Sequence, residues 1–344
     1  MGSIVSSGLA HGHRSNPIAV LRVQKLYGFP VLLSGLASLT MLKSELNTIE
    51  QHFNSTLRCS QKLPSKTPLP VILFLSGSLP AVAELHLRQI GLFAMICRLP
   101  DGDTLKMIAH HQLSFAKASS GSWFLMIRNL CIKYSLPHPL DLMEHPPLNE
   151  HFKKLAKAHI IDYWEQNLRL QSSSLTSLAY FHPNYMSLTR PHPLWTTARD
   201  NVYEINKAMI QAWMLSGRYM IGKLTKHWDN LGGHCWLPSC MHSLQEESIE
   251  HMLTWCPSLA EKRQQMYKLW HKFATQHPHI EPILKTVTNG SVELKCQFIL
   301  DCSVLPDVIR QVQLIGEDVL NKLFYLTRTY CHSLHRTRQE LLTA

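Results

Sequence analysis

Apolar residues recur at helical spacing along most of this chain. Within residues 36–57 they fall at Leu39, Leu42, Leu46, Ile49, Phe53 and Leu57, three or four apart, which predicts an amphipathic helix. Pro64, Pro68 and Pro70 then read as breaks. After Gly77 and Pro80 the segment AVAELHLRQIGLFAMICRL has the helical period again, closed by Pro100-Asp101-Gly102. Residues 114–133 hold a Ser-rich turn and a helix around SWFLMIRNLCIKY, and residues 134–148 form a proline-punctuated connector. A helix over 151–170 would bury Phe152, Leu155, Ile160, Trp164 and Leu168, and FHPNYMSLTRPHPLW is irregular up to Trp195. Asn201-x-x-Glu204 has the form of a capping box, opening a helix through INKAMIQAWMLSGRYMIGKL toward His227. Further helices are expected from Pro257 to Phe273 and, past an Asn289-Gly290 turn, from Pro306 and from Glu317 to about Leu342. Strand-like alternation is rare and no internal repeat is evident, so the pattern predicts an all-α protein.

Between the helix ending near His227 and the one starting at Pro257 lies CWLPSCMHSLQEESIEHMLTWC. Cys235, Cys240, His251 and Cys256 read C-x4-C-x10-H-x4-C, three thiols and one imidazole. Zn²⁺ takes four such ligands in a tetrahedron. The four-residue link Trp236-Leu237-Pro238-Ser239 can bend the first two cysteines toward one ion, and Pro257 marks Cys256 as the junction between two segments. The spacing is looser than C-x2-C. The same residues also fit three small core side chains and a helix histidine, and His234 and His242 stand near enough to substitute as ligands.

Composition narrows the classes. The 344 residues are 45% hydrophobic and 17% charged, enough apolar mass for one or two packed cores and sparse enough in charge to suggest interfaces with missing partners. A net charge of +10 favours polyanions, although no long Lys/Arg run occurs and simple solubility also explains it. Arg218, Lys223, Lys226 and His227 place positive charge ahead of the cysteines, with Tyr219, Trp228 and Trp236 as aromatic surfaces for unpaired bases; each taken singly also suits a core or a wet helix face. Arg328, His332, His335, Arg336 and Arg338 form a further basic stripe that could meet phosphates or merely face water. Nine cysteines and no charged-then-apolar opening fit reduced thiols in the nucleus or cytoplasm. The most apolar run, residues 29–42, is too short to span a membrane and is expected to be a core helix.

Catalytic signatures are missing. No G-x4-G-K-[ST], G-x-S-x-G or H-E-x-x-H occurs, and no adjacent Asp-Asp pair suggests a two-metal centre. Asp101 and Asp103 flank a turn glycine, which a surface turn explains.

Several blocks, in order, resemble the carboxyl-terminal part of the reverse transcriptase polyprotein of non-LTR (LINE-type) retrotransposons, from about residue 11 to residue 344. YGFPVLLSGLASL is similar to the segment that opens the thumb after the polymerase palm. SWFLMIRNLCIKYSLPHPLDLMEHPP and RPHPLW are similar to its connector, and NKAMIQAWMLSGRYM to the helix before its zinc module. CWLPSCMHSLQEESIEHMLTWCPSL resembles its CCHC knuckle, including the acid before the ligand histidine (Glu250-His251). FILDCSVLPDVI and LFYLTRTYCHSLHRTR resemble its carboxyl terminus.

The resemblance implies Zn²⁺ on Cys235, Cys240, His251 and Cys256, and contacts to template RNA or an RNA–DNA hybrid, for which Arg218, Lys223 and Lys226 are the candidates. It implies an irregular segment (1–26), a thumb-like helical domain (27–133), a connector with a helix (134–200), a helix with the zinc knuckle (201–273) and a helical carboxyl-terminal region (274–344). The palm with its paired aspartates and the endonuclease have no counterpart here. Ser34 replaces a usual aromatic, and Met220 a basic or polar residue. A truncated or domesticated element without polymerase activity is therefore expected, its palm supplied by another chain if at all, with neither a membrane nor a small-molecule substrate. The alternative is a protein–protein scaffold or an inert relic; an enzyme ranks third.

Overall fold

A computed structural model describes residues 16–115, 117, 120–198, 201–225, 232–241 and 245–343. Seventeen α-helices and several 3₁₀ and π turns make up the described residues, with no strand among them beyond one isolated antiparallel bridge, His234 to Glu246. The all-α expectation is met. The buried apolar side chains form one contiguous cluster from Leu21 to Leu334.

Most predicted helices appear, with shifted ends. The amphipathic segment becomes a helix only at Lys43–Ser60, burying Phe53 and Leu57. Leu39 and Leu42, expected on its apolar face, lie before it and are exposed. The expected core helix in 29–42 reduces to Phe29–Leu32 and a 3₁₀ turn at Leu36–Ser38; Phe29 and Leu33 are buried but Val31 is exposed. Pro30 suits the first turn of a helix, and a positive φ at Gly35 ends continuity.

Pro68 and Pro70, read as breaks, instead start the helix Leu69–Ser76. Proline tolerates the first turn, where its missing N–H would have no partner. This helix is apolar all round, so it shows no period, and every residue from Pro70 to Ser76 is buried. Lys43–Ser60 and Asn149–Ser173 pack against it, and the expected helices Ala81–Cys97 and Trp123–Lys133 pack against each other. No single described helix is long and apolar enough to cross a membrane; Leu69–Ser76 with Ala81–Cys97 passes only as a pair bent by 62°.

The terminal helix Asp318–Thr343 is the spine of the second half. It packs along Val202–Leu215 and also touches Ala260–Gln276, Val292–Leu300 and Pro306–Ile315. Asn201 caps Val202–Leu215 by accepting from the N–H groups of Tyr203 and Glu204, as expected. Glu204, however, turns away from the expected return bond and pairs with Lys207 and Arg328. That helix does not run on to His227. It ends at Leu215, with Gly217 at φ +62°; a side chain there would strike the Ser177 carbonyl.

A buried pair ties the loop at His192 to the end of the helix Val292–Leu300. His192 Nδ1 accepts from the Leu194 N–H, which leaves Nε2 to donate to Asp301 Oδ2 at 3.2 Å. Burial alone would raise the Asp301 carboxyl; His192 and two hydrogen bonds from Ser303 outweigh it and hold the carboxyl below its ordinary value.

Candidate metal centre

Cys235, Cys240, His251 and Cys256 converge, and their ligand atoms all lie within 4.8 Å of one another. Cys240 Sγ is 3.5 Å from both His251 Nε2 and Cys256 Sγ, and Cys235 Sγ is 4.0 Å from Cys256 Sγ. All four side chains are buried. The group could hold a metal ion, and no second cluster of this kind appears among the described residues.

Local structure explains how 22 residues fold onto one point. Cys235 donates its N–H to the Gln245 carbonyl and Glu247 to that of Gly233, pairing residues 233–235 with 245–247 around the His234–Glu246 bridge. Cys240 and Met241 both bond back to the Leu237 carbonyl, closing the turn that the Trp236–Ser239 link was expected to make. Ser248 Oγ accepts from the His251 N–H and opens a π turn over His251–Trp255. In it the Cys256 N–H reaches the His251 carbonyl five residues back at 2.8 Å. Cys256 then turns extended before Pro257, as a residue ahead of proline prefers, and Arg263 donates to its carbonyl.

The chemistry suits a cation. Two of the thiols are held toward their protonated form: a bond to Cys256 and then burial push Cys235 up to about 12, and burial raises Cys240. A coordinated divalent ion reverses this, because a coordinating thiol gives up its proton outright. His251 presents Nε2 to the cysteines, while Nδ1 is buried without a protein partner. His234, considered as a substitute, forms the bridge and stays outside the cluster; His242 lies outside the described residues.

The positions chosen for phosphate contact divide. Lys223 is exposed and lies 3.5 Å from Glu246 in a surface pair of little strength. Arg218 is half-buried; its Nε has no hydrogen-bond partner, and no carboxylate pairs with it among the described residues. Lys226, His227 and Trp228 lie outside the described residues. Tyr219 is buried, so it offers no stacking surface, whereas Trp236 is exposed. The carboxyl-terminal basic stripe divides too: His332 and His335 are half-buried and Arg336 is exposed beside Glu340, while the other two are internal. Arg328 bonds Glu204 and Thr197, and Arg338 grips Glu247 at 2.7 and 2.9 Å, both buried away from any phosphate.

Two features escaped the sequence reading. Trp255, next to Cys256, is exposed and sets its ring edge-on to His251. Its place before Cys256 was the available signal. Glu247 joins the metal loop to the terminal helix through Arg338 and also accepts from the Gly222 N–H at 2.6 Å. Nothing local announces a contact 91 residues long.

Comparison of the chain with protein-family models, with curated proteins and with solved structures finds no match.

Proposed function

We propose that this chain is a zinc-supported nucleic-acid-binding module without polymerase activity, taking template RNA or an RNA–DNA hybrid. The observation that carries the reading is the meeting of three sulfurs and one imidazole in a buried group. Zinc–sulfur bonds of about 2.3 Å place two sulfurs on one tetrahedral ion about 3.8 Å apart, and the sulfur separations here are 3.5 and 4.0 Å. Four protein ligands close the coordination sphere, so zinc would hold the loop in shape and take no part in a reaction.

Around that loop the chain offers what a single strand needs. Exposed Trp236 and Trp255 flank two ligands and provide stacking faces; Lys223 and Arg218 supply positive charge. The net charge of +10 and the ordered resemblance to non-LTR retrotransposon reverse transcriptases point the same way. Reduced thiols suit the cytoplasm or nucleus. A second reading, a protein–protein scaffold or a surface that docks a palm from another chain, is favoured by the exposed apolar side chains of Leu26, Tyr27, Val31, Leu39 and Leu42.

Fluorescence anisotropy of a labelled single-stranded RNA across a salt series tests the choice. The nucleic-acid reading expects a steep fall of affinity with salt, loss of binding in Cys240→Ser, and a slope shallower by about one in Lys223→Ala. Association indifferent to salt supports the scaffold instead, and primer extension by the chain would overturn the assignment of no catalysis.

A further inference from the structure

A cavity of about 330 Å³ opens directly beside the metal loop, at the lower end of the roughly 300–1,000 Å³ range of small-molecule sites. Its walls include Met214, Leu224 and Ile249, which suit a flat ring. Ile249 and Glu250 immediately precede the ligand His251, so the cavity and the metal loop share one stretch of backbone. Glu250 contributes a carboxylate, oriented by the hydroxyl of Tyr180, which donates to Oε1 at 2.9 Å. Exposed Lys223 also lines the cavity.

We propose that this cavity takes one unstacked guanine of a bound strand, a reading that rests on the nucleic-acid function above and names its base. A carboxylate only accepts hydrogen bonds when ionised. Guanine alone among the four RNA bases sets two N–H donors, N1–H and the N2 amine, side by side on its pairing edge. Adenine and cytosine put an acceptor nitrogen beside their amine, and uracil flanks its one N–H with two carbonyls, so each would turn a lone pair toward Glu250. One bond from Tyr180 leaves the carboxylate with acceptor capacity for both guanine donors. The apolar walls shield those bonds from water, and Lys223 meets the phosphate.

The test is calorimetric titration of the full chain with GMP, UMP and ribose 5-phosphate. GMP is expected to bind at least tenfold tighter than UMP, and Glu250→Gln to erase that preference. Ala179 is exposed at the cavity, so Ala179→Trp fills the space without disturbing the core. It should abolish GMP binding while metal content and helical circular dichroism stay unchanged. Equal binding of ribose 5-phosphate and GMP, unaltered GMP binding in Ala179→Trp, or no GMP binding at all would each overturn the proposal. An oligouridine, which has no guanine, reports on the broader reading separately. Salt-dependent oligouridine binding without GMP binding contradicts the guanine site alone; failure of both contradicts the nucleic-acid reading as well.

Discussion

At the scale of single residues, buried charge is where this molecule is most exposed to mutation. Arg338 and Glu247 meet with both side chains almost wholly out of water. Removing one partner of such a pair leaves the other charge uncompensated and costs roughly 3–5 kcal/mol. Arg338→Met should therefore lower the urea midpoint sharply, while the double variant with Glu247→Leu recovers part of the loss; equal midpoints for Arg338→Met and the wild type would contradict this. His86 supplies the pH dependence. Trp164 Nε1 donates to the Tyr134 hydroxyl, which leaves that hydroxyl to donate to His86 Nδ1 at 2.6 Å. Burial, and secondarily the charge of Lys133, push the imidazole down to about 3. An unfolded chain takes up that proton near pH 6.5, so between about 3 and 6.5 the unfolded state binds more protons. Stability from this group is complete above that window and is lost as pH falls through it. His86→Gln should flatten the acid limb of a pH–stability profile measured by urea unfolding, and an unchanged limb would refute the assignment.

At the scale of elements, caps and close approaches set the outcomes. Asn201 accepts from two N–H groups at the head of Val202–Leu215, so Asn201→Ala should cost about 1 kcal/mol in urea unfolding. Two glycines make a sharper pair. A Cβ on Gly222 would sit 2.7 Å from the Gly233 carbonyl oxygen, a backbone atom of the metal loop, whereas one on Gly91 meets nothing within 4 Å inside the helix Ala81–Cys97. Gly91→Ala is expected to stabilise by up to about 1 kcal/mol. Gly222→Ala should destabilise and reduce metal content, and the same sign for both would contradict the packing described. Elements were legible in the sequence where one face is wet. Asn149–Ser173 carries the helical period with exposed positions between buried ones, and Ala81–Cys97 carries it with half-buried ones. Leu69–Ser76 was hidden because it is buried on all sides, and Glu281–Asn289 and Val292–Leu300 because nine residues hold too few periods to register. The π turn at His251–Trp255 had no signal of its own, yet it brings His251 and Cys256 together.

At the scale of the whole molecule, the terminal helix Asp318–Thr343 holds the Cys235–Cys256 loop through Arg338 and through Tyr330, which donates to the Leu253 carbonyl, and holds the segment ahead of it through His335 against the Tyr219 hydroxyl. The Cys235, Cys240, His251 and Cys256 cluster was legible because its members lie within 22 residues and their chemistry is specific. The fate of the basic residues was not, because the partners of Arg328 and Arg338 lie 124 and 91 positions away and burial is a property of the assembled fold. Structural zinc contributes roughly 10–16 kcal/mol of apparent binding free energy in small zinc-dependent folds, so the shape of this loop should depend on the ion. Metal analysis of the purified full chain by inductively coupled plasma mass spectrometry tests that most directly. The account predicts one zinc per wild-type chain and little in Cys240→Ser; a folded wild-type chain that stays free of zinc when offered it in reducing buffer would contradict it.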